Sequence, residues 1–184
     1  MNRFKIMKRI GLITAVVCVG FFYQQFDSIF HHVDEVMANE VKEGVNIGNL
    51  SVNISGQTLS GAHFDLEDLR GKQVVVNFFA TWCHPCQEEM PLIAELEKKL
   101  TANDVTFVAV NLTNQERSLL EIPPFLRHYG VEFDPVLDSD GKIMNDYHII
   151  GIPTTLVINE EGMITQRIDG MLTEQIIEDL IPFR

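Results

Sequence analysis

Gln73-Val74-Val75-Val76-Asn77-Phe78-Phe79-Ala80, continued by Thr81-Trp82-Cys83-His84-Pro85-Cys86, is the stretch on which the reading of this chain turns. Its first part is a β-branched and aromatic run of strand length, the pattern of a central strand covered on both faces of a sheet. Its second part puts two cysteines where the strand ends and a helix begins. That helix is expected to run to Leu100, with Glu88 and Glu89 early and Lys98-Lys99 late, as the helix dipole prefers.

The placement of the cysteines says more than their spacing. At a helix N-terminus the unpaired backbone N–H groups and the dipole favour a thiolate, so Cys83 is expected to be acidic and nucleophilic, with Cys86 one turn in and shielded. An i, i+3 spacing also brings two sulfurs within bonding reach. Zinc would need two further ligands, and His63, His128 and His148 show no metal-site spacing; Gln87 after Cys86 excludes a CxxCH haem attachment. Redox chemistry by a Cys83–Cys86 dithiol, with no metal and no bound cofactor, is the preferred reading over a buried inert pair.

Glu89 breaks the pattern of its helix. On a wheel of 100° per residue, Ile93, Leu96 and Leu100 lie within about 40° of its direction, so a carboxylate sits in the middle of an apolar stripe. Desolvation there raises a carboxyl pKa, and a group holding a proton near neutrality can exchange it with a thiol. Glu88 is expected to face solvent.

On the C-terminal side, Val105 to Leu112 reads as a second buried strand. A helix broken by Pro123-Pro124 is expected over Gln115 to Tyr129, a short strand at Pro135 to Leu137 and a short helix over Gly141 to His148. Thr154 to Ile158 and Met163 to Ile168 form a hairpin about Asn159-Glu160-Glu161-Gly162, and Thr173 caps a last helix, Glu174 to Ile181. On the N-terminal side, Val45 to Ile54 reads as an edge strand or extended segment, Ser55-Gly56-Gln57 as a turn, and Phe64 to Leu69 as either strand or helical turn. The sum is an α/β domain with a central mixed β-sheet flanked by helices.

The first residues are of another kind. Arg3, Lys5, Lys8 and Arg9 precede Ile10 to Tyr23, an uncharged run extendable to Phe26. Seventeen helical residues span about 25 Å, which snorkelling by Lys8 and Arg9 extends toward a ~30 Å hydrocarbon core. Val17 before Cys18 argues against lipoprotein processing, and Phe21 to Phe26 offers no small residue for a signal cleavage site, so a retained anchor is preferred. The expected organisation is a cytoplasmic basic terminus at 1–9, a transmembrane signal-anchor at 10–26, a tether at 27–43 and the domain at 44–184, placed outside the cytoplasmic membrane by the positive-inside rule. Leaving those four cations aside, 10 basic residues face 26 acidic ones, a balance that excludes nucleic acid as a partner.

Strand, WCHPC, QEEMP helix, GIPTT and the basic-apolar N-terminus together resemble the thioredoxin fold, and within it the TlpA/ResA-like membrane-tethered thiol-disulfide oxidoreductases. The resemblance covers about Gly44 to Phe183. It implies that Cys83 attacks, Cys86 resolves and Glu89 is the active-site glutamate. Pro153 would be the cis-proline facing the disulfide, Pro91 would bend the helix, and Trp82 would pack beside the disulfide. It further implies exported disulfide-containing proteins, apocytochrome c among them, as substrates, and a membrane thiol-transfer protein as electron donor. His84 and Pro85 stand between the cysteines; His84 departs from the family's usual residue, and as a cation it would favour a Cys83 thiolate and oppose Glu89. Other readings on the same fold are a disulfide-oxidising or isomerising protein, a thiol peroxidase and a copper-binding module. Ala80 and Val76 stand where a peroxidase would want Thr and Pro, and copper modules favour CxxxC.

Overall fold

Six consecutive buried residues, Val74–Phe79, form the middle strand of a five-stranded sheet. A computed structural model describes residues 19–21 and 42–180 of the chain. The chain divides into two units, Met1–Val41 and Lys42–Arg184, and the second carries the sheet. The basic terminus, anchor and tether expected at 1–43 lie outside the described residues save 19–21 and 42–43. Among the described residues no helix is long and apolar enough to cross a membrane.

The elements run β1 (Glu43–Gly44), β2 (Leu50–Ser51), β3 (Ser55–Gln57), β4 (His63–Asp65), β5 (Val74–Phe79), α1 (His84–Ala102), β6 (Thr106–Asn111), α2 (Ile122–Tyr129), β7 (Val136–Leu137), α3 (Lys142–Asp146), β8 (Thr154–Ile158), β9 (Ile164–Asp169) and α4 (Glu174–Leu180). The main sheet has the order β7-β6-β5-β8-β9. β5, β6 and β7 are parallel, and β8 runs antiparallel to both β5 and β9. A mixed sheet of this kind follows from the chain: a helical crossover joins β5 to β6, whereas a five-residue connection, 159–163, joins β8 to β9.

Because side chains alternate along a strand, β5 feeds two cores. Val75 and Phe79 pack with Met90, Ile93, Leu96 and Leu100 of α1, and with Ile122 and Leu126 of α2. Val74, Val76 and Phe78 point the other way, into a cluster with Leu156, Ile143 and Tyr147. Burying each such Leu or Ile contributes about 1.5–3 kcal/mol, which anchors α1 by the stripe it presents.

Several sequence expectations are refined. Ser55-Gly56-Gln57, read as a turn, is strand β3, paired antiparallel with β4; the turn is the following segment, closed by Thr58 N–H donating to the Ala62 carbonyl at 2.8 Å. Phe64 to Leu69 is both of its alternatives in succession, strand to Asp65 and then a 3-10 turn at Leu66–Leu69 capped by the Asp65 carboxylate. Of Val45 to Ile54, expected as an edge strand or extended segment, Leu50–Ser51 is strand, paired in parallel with β1.

Pro123-Pro124 does not break a helix but opens one. α2 begins at Ile122 with the prolines in its first turn, where missing N–H donors cost nothing, and it ends at Gly130 in the left-handed conformation (φ 66°). The preceding residues make two 3-10 turns, Thr113–Gln115 and Leu119–Glu121. The short helix α3 likewise covers only Lys142–Asp146 of its expected span.

Candidate active site

β5 delivers the chain to Thr81, and α1 starts at His84, so Cys83 is the N-cap of the helix with extended backbone. Its Sγ accepts the Cys86 N–H at 3.2 Å, the role an Asp or Ser oxygen plays elsewhere. Pro85 in the first helical turn has the fixed φ and absent donor that this position tolerates. Cys83 and Cys86 are joined by a disulfide, their Cα atoms 5.3 Å apart.

Both cysteines are buried, yet they differ in access. Cys83 lines a groove of about 390 Å³ together with Trp82, Pro85, Met144, Ile150 and Ile152, whereas Cys86 does not. The groove is apolar but for His84 and Gln115, and Ile150 at its rim is 98% exposed. Across it, the Ile152 carbonyl oxygen lies 3.5 Å from Cys83 Sγ, and the Ile152–Pro153 peptide bond that follows is cis. A larger depression of about 500 Å³, between β3 and α3, contains neither cysteine.

Trp82 is half exposed, with its indole N–H donating to the Gln115 carbonyl at 2.9 Å. His84 points to solvent, its Nδ1 3.6 Å from Glu88 Oε1. The histidine's nearest charge is therefore the carboxylate one turn on, and Glu88 is exposed as expected while facing His84. Pro91 lies inside α1, which continues through it to Ala102.

Glu89 is 1% exposed on the buried face of α1. Its Oε1 accepts from Asn77 Nδ2 at 3.0 Å and its Oε2 from the Leu172 N–H at 2.5 Å. Burial raises its pKa to about 7, and the Leu172 and Asn77 donors offset only part of that rise. A buried carboxyl poised at neutrality one turn from Cys86 can take up or release a proton at physiological pH. Among the described residues no three His, Cys, Asp or Glu side chains converge as a metal site would require.

A family model described as the AhpC/TSA family matches residues 47–167. The thiol-disulfide oxidoreductase ResA of Bacillus subtilis is 32% identical over 93% of this chain and 88% of its own. The chain belongs to the ResA-like thiol-disulfide oxidoreductases of the AhpC/TSA family. The thioredoxin-like protein YneN of Bacillus subtilis is similar to this ResA-like chain at 37% identity, over 73% of it and 78% of the relative. Among solved structures, StoA from Bacillus subtilis superposes with a TM-score of 0.61 at 32% identity, covering 69% of this chain and 95% of that one. The fold is thus thioredoxin-like.

Two groups that sequence reading overlooked complete the site of this ResA-like protein. Asn77, the lone amide in VVVNFF, donates to Glu89 and, at 3.0 Å, to Thr155 Oγ1 on β8. Its presence in an apolar central strand was the available signal. Glu116 accepts from the Thr81 N–H at 2.6 Å, the Thr81 hydroxyl at 2.5 Å and Asn111 Nδ2 at 2.8 Å. Gln87 Nε2 donates to the Thr81 carbonyl at 2.7 Å, so the residue that leads into Trp82-Cys83 is held on three sides. Nothing in the sequence around Glu116 marks it.

Proposed function

We propose that this oxidoreductase reduces disulfides of exported proteins on the outer face of the cytoplasmic membrane, held there by a retained anchor at 10–26. The single observation that supports the direction of attack is the one-sided access: of the two sulfurs only Cys83 lines the groove. The Cys83 thiolate attacks one sulfur of a substrate disulfide, forming a mixed disulfide and releasing a substrate thiolate. Cys86 then loses its proton and attacks Cys83, releasing the second substrate thiolate and leaving the Cys83–Cys86 disulfide. Two electrons pass to the substrate, and its two thiolates take up protons.

Glu89 accepts the Cys86 proton in the second step and returns one when the couple is reduced again; its burial supports that role. Trp82, Pro85 and the Ile152–Pro153 turn present an apolar, uncharged wall to an extended substrate backbone, with His84 exposed at the rim. Apocytochrome c is the substrate the resemblance favours, and a membrane thiol-transfer protein the donor that restores the dithiol.

The test is the reduction potential of the full chain in detergent, equilibrated against dithiothreitol and glutathione. A value at or below about −250 mV supports reduction of exported disulfides; one above about −180 mV overturns it in favour of disulfide insertion or shuffling.

A further inference from the structure

The wall opposite the disulfide, Ile149–Ile152, has no secondary structure of its own, and Ile150 at its tip is almost fully exposed. What holds it lies on β9. The Arg167 side chain is 16% exposed and donates from Nη1 to the Tyr147 carbonyl at 3.0 Å and from Nη2 to the His148 carbonyl at 3.3 Å. These carbonyls follow α3 at its C-cap and the next residue; the helix's own last acceptors, Ile143, Met144 and Asn145, are taken by the Tyr147, Ile149 and His148 N–H groups. His148 adopts a left-handed backbone (φ 49°), a conformation that costs a residue with a Cβ about 1 kcal/mol and so persists only when its surroundings enforce it.

The guanidinium is itself aimed. Its Nε donates to Asp169 Oδ1 at 3.1 Å and Oδ2 at 3.3 Å. Asp169 Oδ1 also lies 3.3 Å from the Thr154 hydroxyl, which donates to the Gly151 carbonyl at 2.8 Å. Next along the chain, the Gly170 N–H donates to the Pro153 carbonyl at 2.8 Å. Residues 167–170 therefore fasten both ends of the loop that faces Cys83, leaving only Ile149–Ile152 to span the groove.

We propose that Arg167, oriented by Asp169, is a positioning residue for polypeptide substrates: it fixes the groove wall opposite Cys83 without taking part in the sulfur chemistry. This rests on the reading that Cys83 attacks substrates lying in the groove. An extended polypeptide has to match the wall along several residues, and a wall already held in place spares the cost of ordering it on binding. A small disulfide needs only the sulfur. A single planar fork is required to reach two successive carbonyls and a carboxylate, which a lysine cannot do.

The experiment compares the full-length wild type with Arg167→Met, Arg167→Lys and Asp169→Asn in two assays: steady-state reduction of insulin with dithiothreitol as electron donor, its uncatalysed rate subtracted, and single-turnover reduction of 5,5′-dithiobis(2-nitrobenzoate) by each protein reduced beforehand and freed of donor. Asp169 is mostly exposed, so its amide variant keeps the test informative should Arg167→Met fail to fold. The expected result is a KM for insulin raised about five-fold or more in Arg167→Met and Asp169→Asn, with kcat for insulin, rate on the small disulfide and the dithiol-disulfide equilibrium constant against glutathione all within about two-fold of wild type. Arg167→Lys should recover only part of the KM. An unchanged KM, or a parallel loss on both substrates, overturns the proposal. A Cys83→Ser variant that still reduces both substrates at the wild-type rate would instead overturn the reading of Cys83, and the clamp with it.

Discussion

The backbone N–H of Leu172 donates to Glu89 Oε2 at 2.5 Å, tying the segment between β9 and α4 to the active-site helix across 83 residues of sequence. The carboxyl that manages protons in the proposed cycle is thus also a structural joint, and its ionisation bears on folding.

The unfolded chain releases the Glu89 proton near 4.5, whereas the folded protein keeps it to about 7. The stabilising contribution of that proton is complete below pH 4.5 and lost as pH rises through 7, a change of roughly 3 kcal/mol at 1.36 kcal/mol per pH unit. Glu89→Gln should remove this fall. Denaturant titrations of both proteins between pH 4 and 8 check it, and parallel curves would show that the buried carboxyl does not titrate in this range. The same variant should slow thiol-disulfide exchange by at least about tenfold.

Asn77→Val deletes one donor to Glu89 and the donor to Thr155 together. The variant should lose about 1–3 kcal/mol, and the Glu89 midpoint should move upward because an offsetting hydrogen bond is gone. Carboxyl NMR titration reads the midpoint directly; a downward move would contradict the geometry.

Substitutions of Glu116 should separate by chemistry. Gln keeps an oxygen for the Thr81 and Asn111 N–H groups, and the Thr81 hydroxyl can turn to accept, so the cost should stay below about 1 kcal/mol. Ala leaves all three donors without their acceptor in a partly buried setting and should cost about 2–4 kcal/mol. Urea unfolding distinguishes the two, and equal losses would mean that the carboxylate does not hold Thr81.

Cys86→Ser should accumulate a mixed disulfide with substrate through Cys83, while Cys83→Ser should accumulate none. Peptide mapping of the trapped species decides the matter. A trap through Cys18 would overturn the assignment.

Much of this site could be read from one segment because its logic is local. The strand run, the cysteines at the helix start and the odd carboxylate on an apolar stripe all follow from periodicities within thirty residues, and the structure places them on β5 and α1. Pro123-Pro124 misled because a proline pair reads as a break unless the helix start is known independently, and Ser55-Gly56-Gln57 because its turn-like residues are made a strand by pairing with His63–Asp65, which local composition does not announce. Glu116 and Arg167 were invisible for a different reason. Their partners lie 35 residues away at Thr81 and 20 residues away at Tyr147, so their roles exist only once β6 and β9 have taken their places in the sheet.

Cys83 caps its own helix, and most helices assign that duty to an oxygen whose state never changes. Here the capping atom alternates between an anionic acceptor in the thiolate and a weakly accepting divalent sulfur in the disulfide. Whatever reinforces the first turn of α1 in one state more than the other must shift the dithiol-disulfide equilibrium by the same amount. His84 and Pro85 are thereby settings of an electron-transfer couple as well as residues of a helix, and its poise can be re-engineered by helix-stability rules with neither sulfur touched.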